Sequence, residues 1–156
     1  MEQHENDNPG VIAPPPLIYL GFLVLGGVLD YLWPVGLGVG AVGVPAGAAL
    51  LILGGVIAFT AIRQFGRAGT NFKPHQPSTA IVTDGLYRYS RNPMYIALAL
   101  VYAGIAVAAD GLWAVALLVP TLVVVRHGVI AREERYLEGK FGDAYRRYKG
   151  SVRRWL

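Results

Sequence analysis

The chain has 156 residues and no cysteine. That absence excludes a disulfide framework, a thiolate metal site and a cysteine nucleophile. Charge is scarce: 15% of residues are Asp, Glu, Lys or Arg, against roughly 25% in an ordinary soluble domain. A conventional water-facing surface is hard to build from so little. Lysine and arginine are missing altogether from residues 1–62, and the first is Arg63. The N-terminus therefore lacks a basic n-region and opens instead with Glu2, Glu5 and Asp7, which argues against a cleaved signal peptide.

What is present is apolar and arranged in blocks. From Leu17 to Ile62 the only acid or base is Asp30, and from Met94 to Val125 the only one is Asp110. A membrane-spanning helix needs about 20 predominantly apolar residues, so each block accommodates two spans. The expected fold is an all-α integral membrane protein with four transmembrane helices, at about 17–33, 46–65, 93–109 and 112–131. Residues 1–16 read as a flexible polar arm, with Pro14-Pro15-Pro16 stiffening its approach to the first span. Pro93 suits the first turn of the third helix, Asp110-Gly111 reads as a turn, and Pro120 is expected to kink the fourth span.

Between the second and third spans lies a polar loop, residues 66–92, too long for a bare turn and of the kind that carries function. After the fourth span comes a basic tail, residues 132–156. In it Leu137, Phe141, Tyr145, Tyr148, Val152 and Trp155 recur at helical spacing. That stripe predicts an amphipathic helix lying on the membrane or folded against the bundle, with Gly142 and Gly150 as possible breaks. Four spans put loop, tail and N-terminus on one side. That side holds the basic residues, so the positive-inside rule places it in the cytoplasm.

A tight hairpin brings the end of the loop and the start of the tail together. Glu133 and Glu134 can then face Arg91, Asn92 and Tyr95 across one pocket. Each piece alone has a plainer reading. Arg88 and Arg91 can anchor a helix end at the interface. Tyr87, Tyr89 and Tyr95 can form an aromatic belt. Glu133-Glu134 can be a solvated face, Gly85 a turn residue and His75 a loop histidine. The tail charges suit anionic lipid. No metal-ligand cluster, phosphate-cradling loop or Ser/His/Asp set is evident, and membrane topology accounts for the basic residues without nucleic acid.

The ordered set Val82-Thr-Asp-Gly-Leu-Tyr-Arg-Tyr-Ser-Arg-Asn-Pro-Met-Tyr95, a helical hairpin, Glu133-Glu134, and Phe141-Gly-Asp-Ala-Tyr-Arg-Arg-Tyr148 resembles the isoprenylcysteine carboxyl methyltransferase family, itself related to integral-membrane phospholipid methyltransferases. The resemblance covers about residues 70–156. It implies S-adenosylmethionine as methyl donor and S-adenosylhomocysteine as product. It implies that Ile81, Val82, Gly85, Leu86 and Tyr87 line the donor. Arg91-Asn92-Pro93 and Tyr95 match the family's Arg-His-Pro-x-Tyr box, and Glu133 and Glu134 its paired glutamates. Asn92 stands where the family usually has histidine. It can hydrogen-bond but does not titrate near neutral pH, which favours positioning over acid–base work.

The donor is already activated, so the protein mainly aligns reactants and excludes water. Arg91 suits a carboxylate acceptor and Glu133 an amine acceptor. The remaining named residues and Glu134 are expected to hold the donor. The expected partners are the bilayer and a small lipophilic or lipid substrate, with carboxyl O-methylation the leading reaction and phospholipid or amine N-methylation the alternative. A non-catalytic membrane scaffold is the competing class. A transporter is disfavoured, since Asp30 and Asp110 fall near span ends.

Overall fold

The computed structural model describes residues 8–70 and 77–156. Glu2, Glu5, Asp7, Lys73 and His75 lie outside the described residues. Among the described residues the chain is all helical, with no strand. Its helices are α1 (Pro15–Leu32), α2 (Gly43–Arg67), α3 (Pro93–Ala108), α4 (Leu112–Val125), α5 (Ala131–Phe141) and α6 (Asp143–Ser151). A π turn, Arg126–Ile130, joins α4 to α5 without interruption. Short 3-10 turns sit at Gly40–Val42 and Gly85–Arg88. By length and composition, α1, the stretch Gly40–Arg67 containing α2, and the continuous rod Leu112–Phe141 are long and apolar enough to cross a membrane; α3 is a shorter apolar helix.

Prolines set several of these boundaries. Pro15 and Pro93 sit in the first turns of α1 and α3, where a missing N–H leaves no helical bond unmade. Pro34 follows Trp33, and the residue before a proline is pushed out of helical geometry; α1 stops at Leu32. The helix through Pro120 continues, and the change of helical geometry comes later, at the π turn.

The helices meet through small residues. On α2, Gly47, Gly54 and Ala61 recur every seventh position and are all buried. Gly47 and Gly54 face Gly104 and Ala97 of α3, and Ala61 packs with Val82 and Tyr87. A Cβ on Gly47 would lie 2.5 Å from the Gly104 carbonyl oxygen, and one on Gly104 would lie 2.8 Å from that of Gly47. Two backbones approach this closely only where side chains are absent, the usual packing solution when lipid offers no hydrophobic drive between helices. Likewise α1 packs chiefly on α4, with Gly26 against Ala114. Outward faces carry exposed Leu17, Leu20, Val24, Ile52, Val56, Phe59 and Val119. In water these would form an apolar patch too large for a monomer; in lipid they are ordinary.

Three buried hydroxyls inside the bundle are satisfied, as a low dielectric demands. Tyr102 donates to the Ala114 carbonyl (2.8 Å), Tyr19 to that of Tyr95 (3.0 Å), and Thr121 to that of Leu117 (2.7 Å).

At one end of the bundle the loops are knitted by the two aspartates of the apolar blocks. Asp30 accepts from the backbone N–H groups of Trp113 (2.9 Å) and Ala114 (3.1 Å) at the start of α4. Asp110, in left-handed conformation at φ 54°, accepts from the Val39 N–H (3.3 Å). The other end holds the described basic residues, the described N-terminal residues and the C-terminus.

Two regions differ from the sequence reading. The flexible arm was expected over residues 1–16. Of its described part, Pro15 and Pro16 already belong to α1, and Ile12 bonds to the Gly128 carbonyl (3.3 Å). The tail was expected to begin at residue 132, with Gly142 and Gly150 as possible breaks. Instead the fourth helix runs on to Phe141, and the reversal falls at Gly142, with φ 54° and ψ −125°. Glycine is the residue that adopts this conformation without strain. Gly150 stays inside α6. The apolar stripe is thus split between α5, α6 and the C-terminal segment that holds Val152 and Trp155, and α6 folds back on the bundle.

Candidate active site

The rod Leu112–Phe141 has 30 residues, about 45 Å at 1.5 Å per residue, well beyond an apolar core of about 30 Å. Its last third carries Arg132, Glu133, Glu134 and Arg135 and extends past the apolar part. There it meets the loop, the start of α3 and α6 around a partly open pocket. Of the residues expected in the site, Ile81, Val82, Tyr87, Arg91, Asn92, Tyr95, Glu133 and Glu134 line this pocket. Gly85, Leu86 and Pro93 do not. Gly85 lies against the Gln64 amide with φ 57°. Leu86 packs behind the pocket with Ala61, Val82 and Tyr87. Pro93 is buried at the first turn of α3.

The two glutamates have different surroundings. Tyr95 donates to Glu133 Oε1 at 2.6 Å. Burial pushes the Glu133 carboxyl up to about 7, with the Tyr95 hydrogen bond opposing and the neighbouring Glu134 charge reinforcing. Glu134 is 6% exposed and is gripped by Arg154, Nε to Oε1 at 3.0 Å and Nη2 to Oε2 at 2.6 Å. Those bonds raise the Arg154 guanidinium above its usual value. Arg91 Nη1 also lies 3.0 Å from Glu134 Oε1. That contact is an ion pair out of hydrogen-bond alignment, the guanidinium also hydrogen-bonds the Tyr145 hydroxyl, and Arg91 Nε is a buried donor without an acceptor.

The C-terminal segment closes over the loop end. The Arg91 N–H donates to the Arg153 carbonyl (2.9 Å). Asn92 Nδ2 (2.8 Å) and Ser90 Oγ (3.3 Å) donate to that of Arg154. Asn92 thus serves as a neutral donor, a task that needs no titration. Tyr148 donates to the Tyr87 carbonyl (2.8 Å). Burial pushes the Tyr145 phenol up to about 12 and raises those of Tyr87 and Tyr148 further. All three are neutral hydroxyls at physiological pH.

Several lining residues were not singled out from sequence: Phe65, Ser78, Tyr136, Tyr145 and Tyr148, together with Arg154 behind Glu134. Tyr145 and Tyr148 carried a signal, since both belong to the apolar stripe. Arg154 carried none beyond being one basic tail residue among several; only the reversal at Gly142 brings it to Glu134.

An uncharacterized protein of Haemophilus influenzae is 66% identical to this chain over 35 residues, which are 22% of this chain and 56% of that protein. The match thus spans little more than half the length of that relative. No solved structure matches the chain. The family model described as phospholipid methyltransferase matches residues 42–144. That region contains α2, the loop, α3, the rod with its paired glutamates, and the first residues of α6, and by it the chain belongs to the phospholipid methyltransferase family.

Proposed function

We propose that this chain is a membrane-embedded, S-adenosylmethionine-dependent methyltransferase with a lipophilic acceptor. The observation that carries the reading is Arg91. Its side chain is 10% exposed, and Nη1 meets Glu134 at 3.0 Å only out of hydrogen-bond alignment, while the buried Nε has no hydrogen-bond acceptor. A buried donor left unmatched costs free energy, and a carboxylate is the group whose two oxygens satisfy a guanidinium edge. Both S-adenosylmethionine and a carboxylate acceptor carry one. When bound, S-adenosylmethionine supplies a methyl group activated by its sulfonium charge. Ile81, Val82, Tyr87 and Asn92 form its wall, with Gly85, Leu86 and Pro93 supporting the backbone behind them. Glu134 contributes by fixing Arg91.

Carboxyl O-methylation is the leading reaction, with Arg91 orienting the acceptor. N-methylation is favoured by a separate observation. Glu133, held near 7, is poised to take the proton that an amine sheds at neutral pH. In the same reading all four apolar helices cross the bilayer, α3 running back along α2, and the basic end with both termini faces the cytoplasm.

Calorimetry in detergent tests the donor site. Wild type is expected to bind S-adenosylhomocysteine and Arg91→Ala to lose it; a wild type that does not bind overturns the assignment. Labelled donor with a membrane lipid extract separates the two reactions, since carboxyl esters are base-labile and N-methyl groups are not.

A further inference from the structure

Neither reaction uses the π turn or the segment that crosses it. Turns of this kind are rare and concentrate at functional sites. One extra residue in a turn advances the side chains that follow by about 100°. Here the turn ends at Ile130, three residues before Glu133 in the helix that follows without interruption, so it sets where both carboxylates point.

Residues Asn8–Ala13 run over this turn as a strap. The Ile12 N–H donates to the Gly128 carbonyl (3.3 Å). The Ile12 side chain occupies the place that a Cβ on Gly128 would take. Arg132 Nη1 donates to the Gly10 carbonyl (2.8 Å). Asn8 Oδ1 accepts from the Gly10 N–H (2.9 Å), folding the strap back on itself around Pro9. Pro9 then lines the candidate active site together with Glu133 and Tyr136. Val11 and Ala13 pack against the core cluster that contains Val129 and Ile130, but that packing does not account for Ile12. Ordering each backbone residue costs about 1–2 kcal/mol, yet Ile12 remains 52% exposed.

We propose that the strap Asn8–Ala13, latched on the π turn by Ile12 and Arg132, is a positioning wall of the active site that retains the ligand. The identity of that ligand rests on the methyltransferase reading. The strap contacts the chemistry only through Pro9 and through the turn that aims Glu133.

The test uses the full chain in detergent, with S-adenosylhomocysteine as probe. Ile12→Gly and Arg132→Gln release the latch. Each is expected to raise the dissociation constant about tenfold, as for the loss of one charge-assisted hydrogen bond or its equivalent, through faster dissociation. The midpoint of helical melting should move little. Because the chain has no cysteine, an Ile12→Cys/Gly128→Cys pair can be oxidised cleanly across the contact. Its disulfide should return dissociation to the wild-type rate, and reduction should undo that. A merely structural strap would make affinity follow the melting midpoint and leave it insensitive to the cross-link; that result overturns the proposal. So does wild-type affinity in variants whose strap has been freed, as shown by maleimide labelling of Ile12→Cys. A wild type that fails to bind overturns the donor assignment and the strap proposal together, whereas binding with unchanged variants overturns the strap alone.

Discussion

At the end of the bundle away from the pocket, Asp30 gives its two carboxylate oxygens to backbone N–H groups of α4. Asp110 bonds a backbone N–H of the facing loop. At the pocket end, Glu134 is held by two guanidiniums, one of which keeps a buried Nε without an acceptor. Glu133 has a tyrosine hydroxyl and a carboxyl pushed up to about 7. The first pair of acids meets backbone demands. The second pair belongs to a network with hydrogen-bonding capacity to spare. Chemistry is to be sought where polar groups are buried and incompletely answered, and here that is one end only.

The largest effect on this contrast is expected from Glu134→Ala. It leaves Arg91 and Arg154 facing each other without a counter-charge, and breaking a buried pair in this way costs about 3–5 kcal/mol. Thermal unfolding in detergent should show the loss, and S-adenosylhomocysteine binding should vanish. Gly47→Leu probes the bundle between the ends. It drives a side chain into the Gly104 carbonyl, and overpacking of this kind costs about 1–3 kcal/mol; melting should drop without a selective loss of ligand. Asp30→Ala removes an acceptor at the start of α4, worth about 1 kcal/mol as a helix cap, and should leave ligand affinity at the wild-type value. If Asp30→Ala abolished binding while Glu134→Ala spared it, the division between the ends would collapse.

The smallest effect is a shift in pH dependence. If Glu133 acts as a base, the methylation rate rises with pH through about 7 and is lost below. The Tyr95 hydrogen bond lowers this value, so Tyr95→Phe should move the midpoint upward, and Glu133→Gln should flatten the profile. Stability runs the other way. A carboxyl raised in the folded state contributes stability that is fully present below the ordinary carboxyl value of 4.5 and is lost as pH rises through about 7. Melting of wild type between those limits should fall relative to Glu133→Gln.

Much of this was legible beforehand because hydropathy and charge report each residue's surroundings directly. The apolar blocks mark helices that reach from Pro15 to Leu32 and from Gly43 to Arg67, and the motif residues Arg91, Asn92, Tyr95, Glu133 and Glu134 do converge on one pocket. The break in the tail was less legible. Gly142 and Gly150 look alike in sequence, yet only Gly142 takes up a positive φ. Nor does sequence show that the N-terminal arm is latched, since Ile12 and Gly128 stand far apart in the chain and neither belongs to a motif.

The sequence by itself determined the class of molecule and its polarity. An apolar excess with Lys and Arg confined to residues from 63 onward permits a helix bundle in lipid with one basic end, and its ordered motif points to methyl transfer. Only the tertiary structure decided which partner each charged group has. That outcome depends on where the chain reverses and how the helices are phased, here at Gly142 and at Arg126–Ile130. Arg154 reaches Glu134 through the first, and Glu133 reaches Tyr95 through the second. Composition and spacing record what each side chain can bond, whereas the bond it makes is fixed by distances that exist only once the backbone has folded.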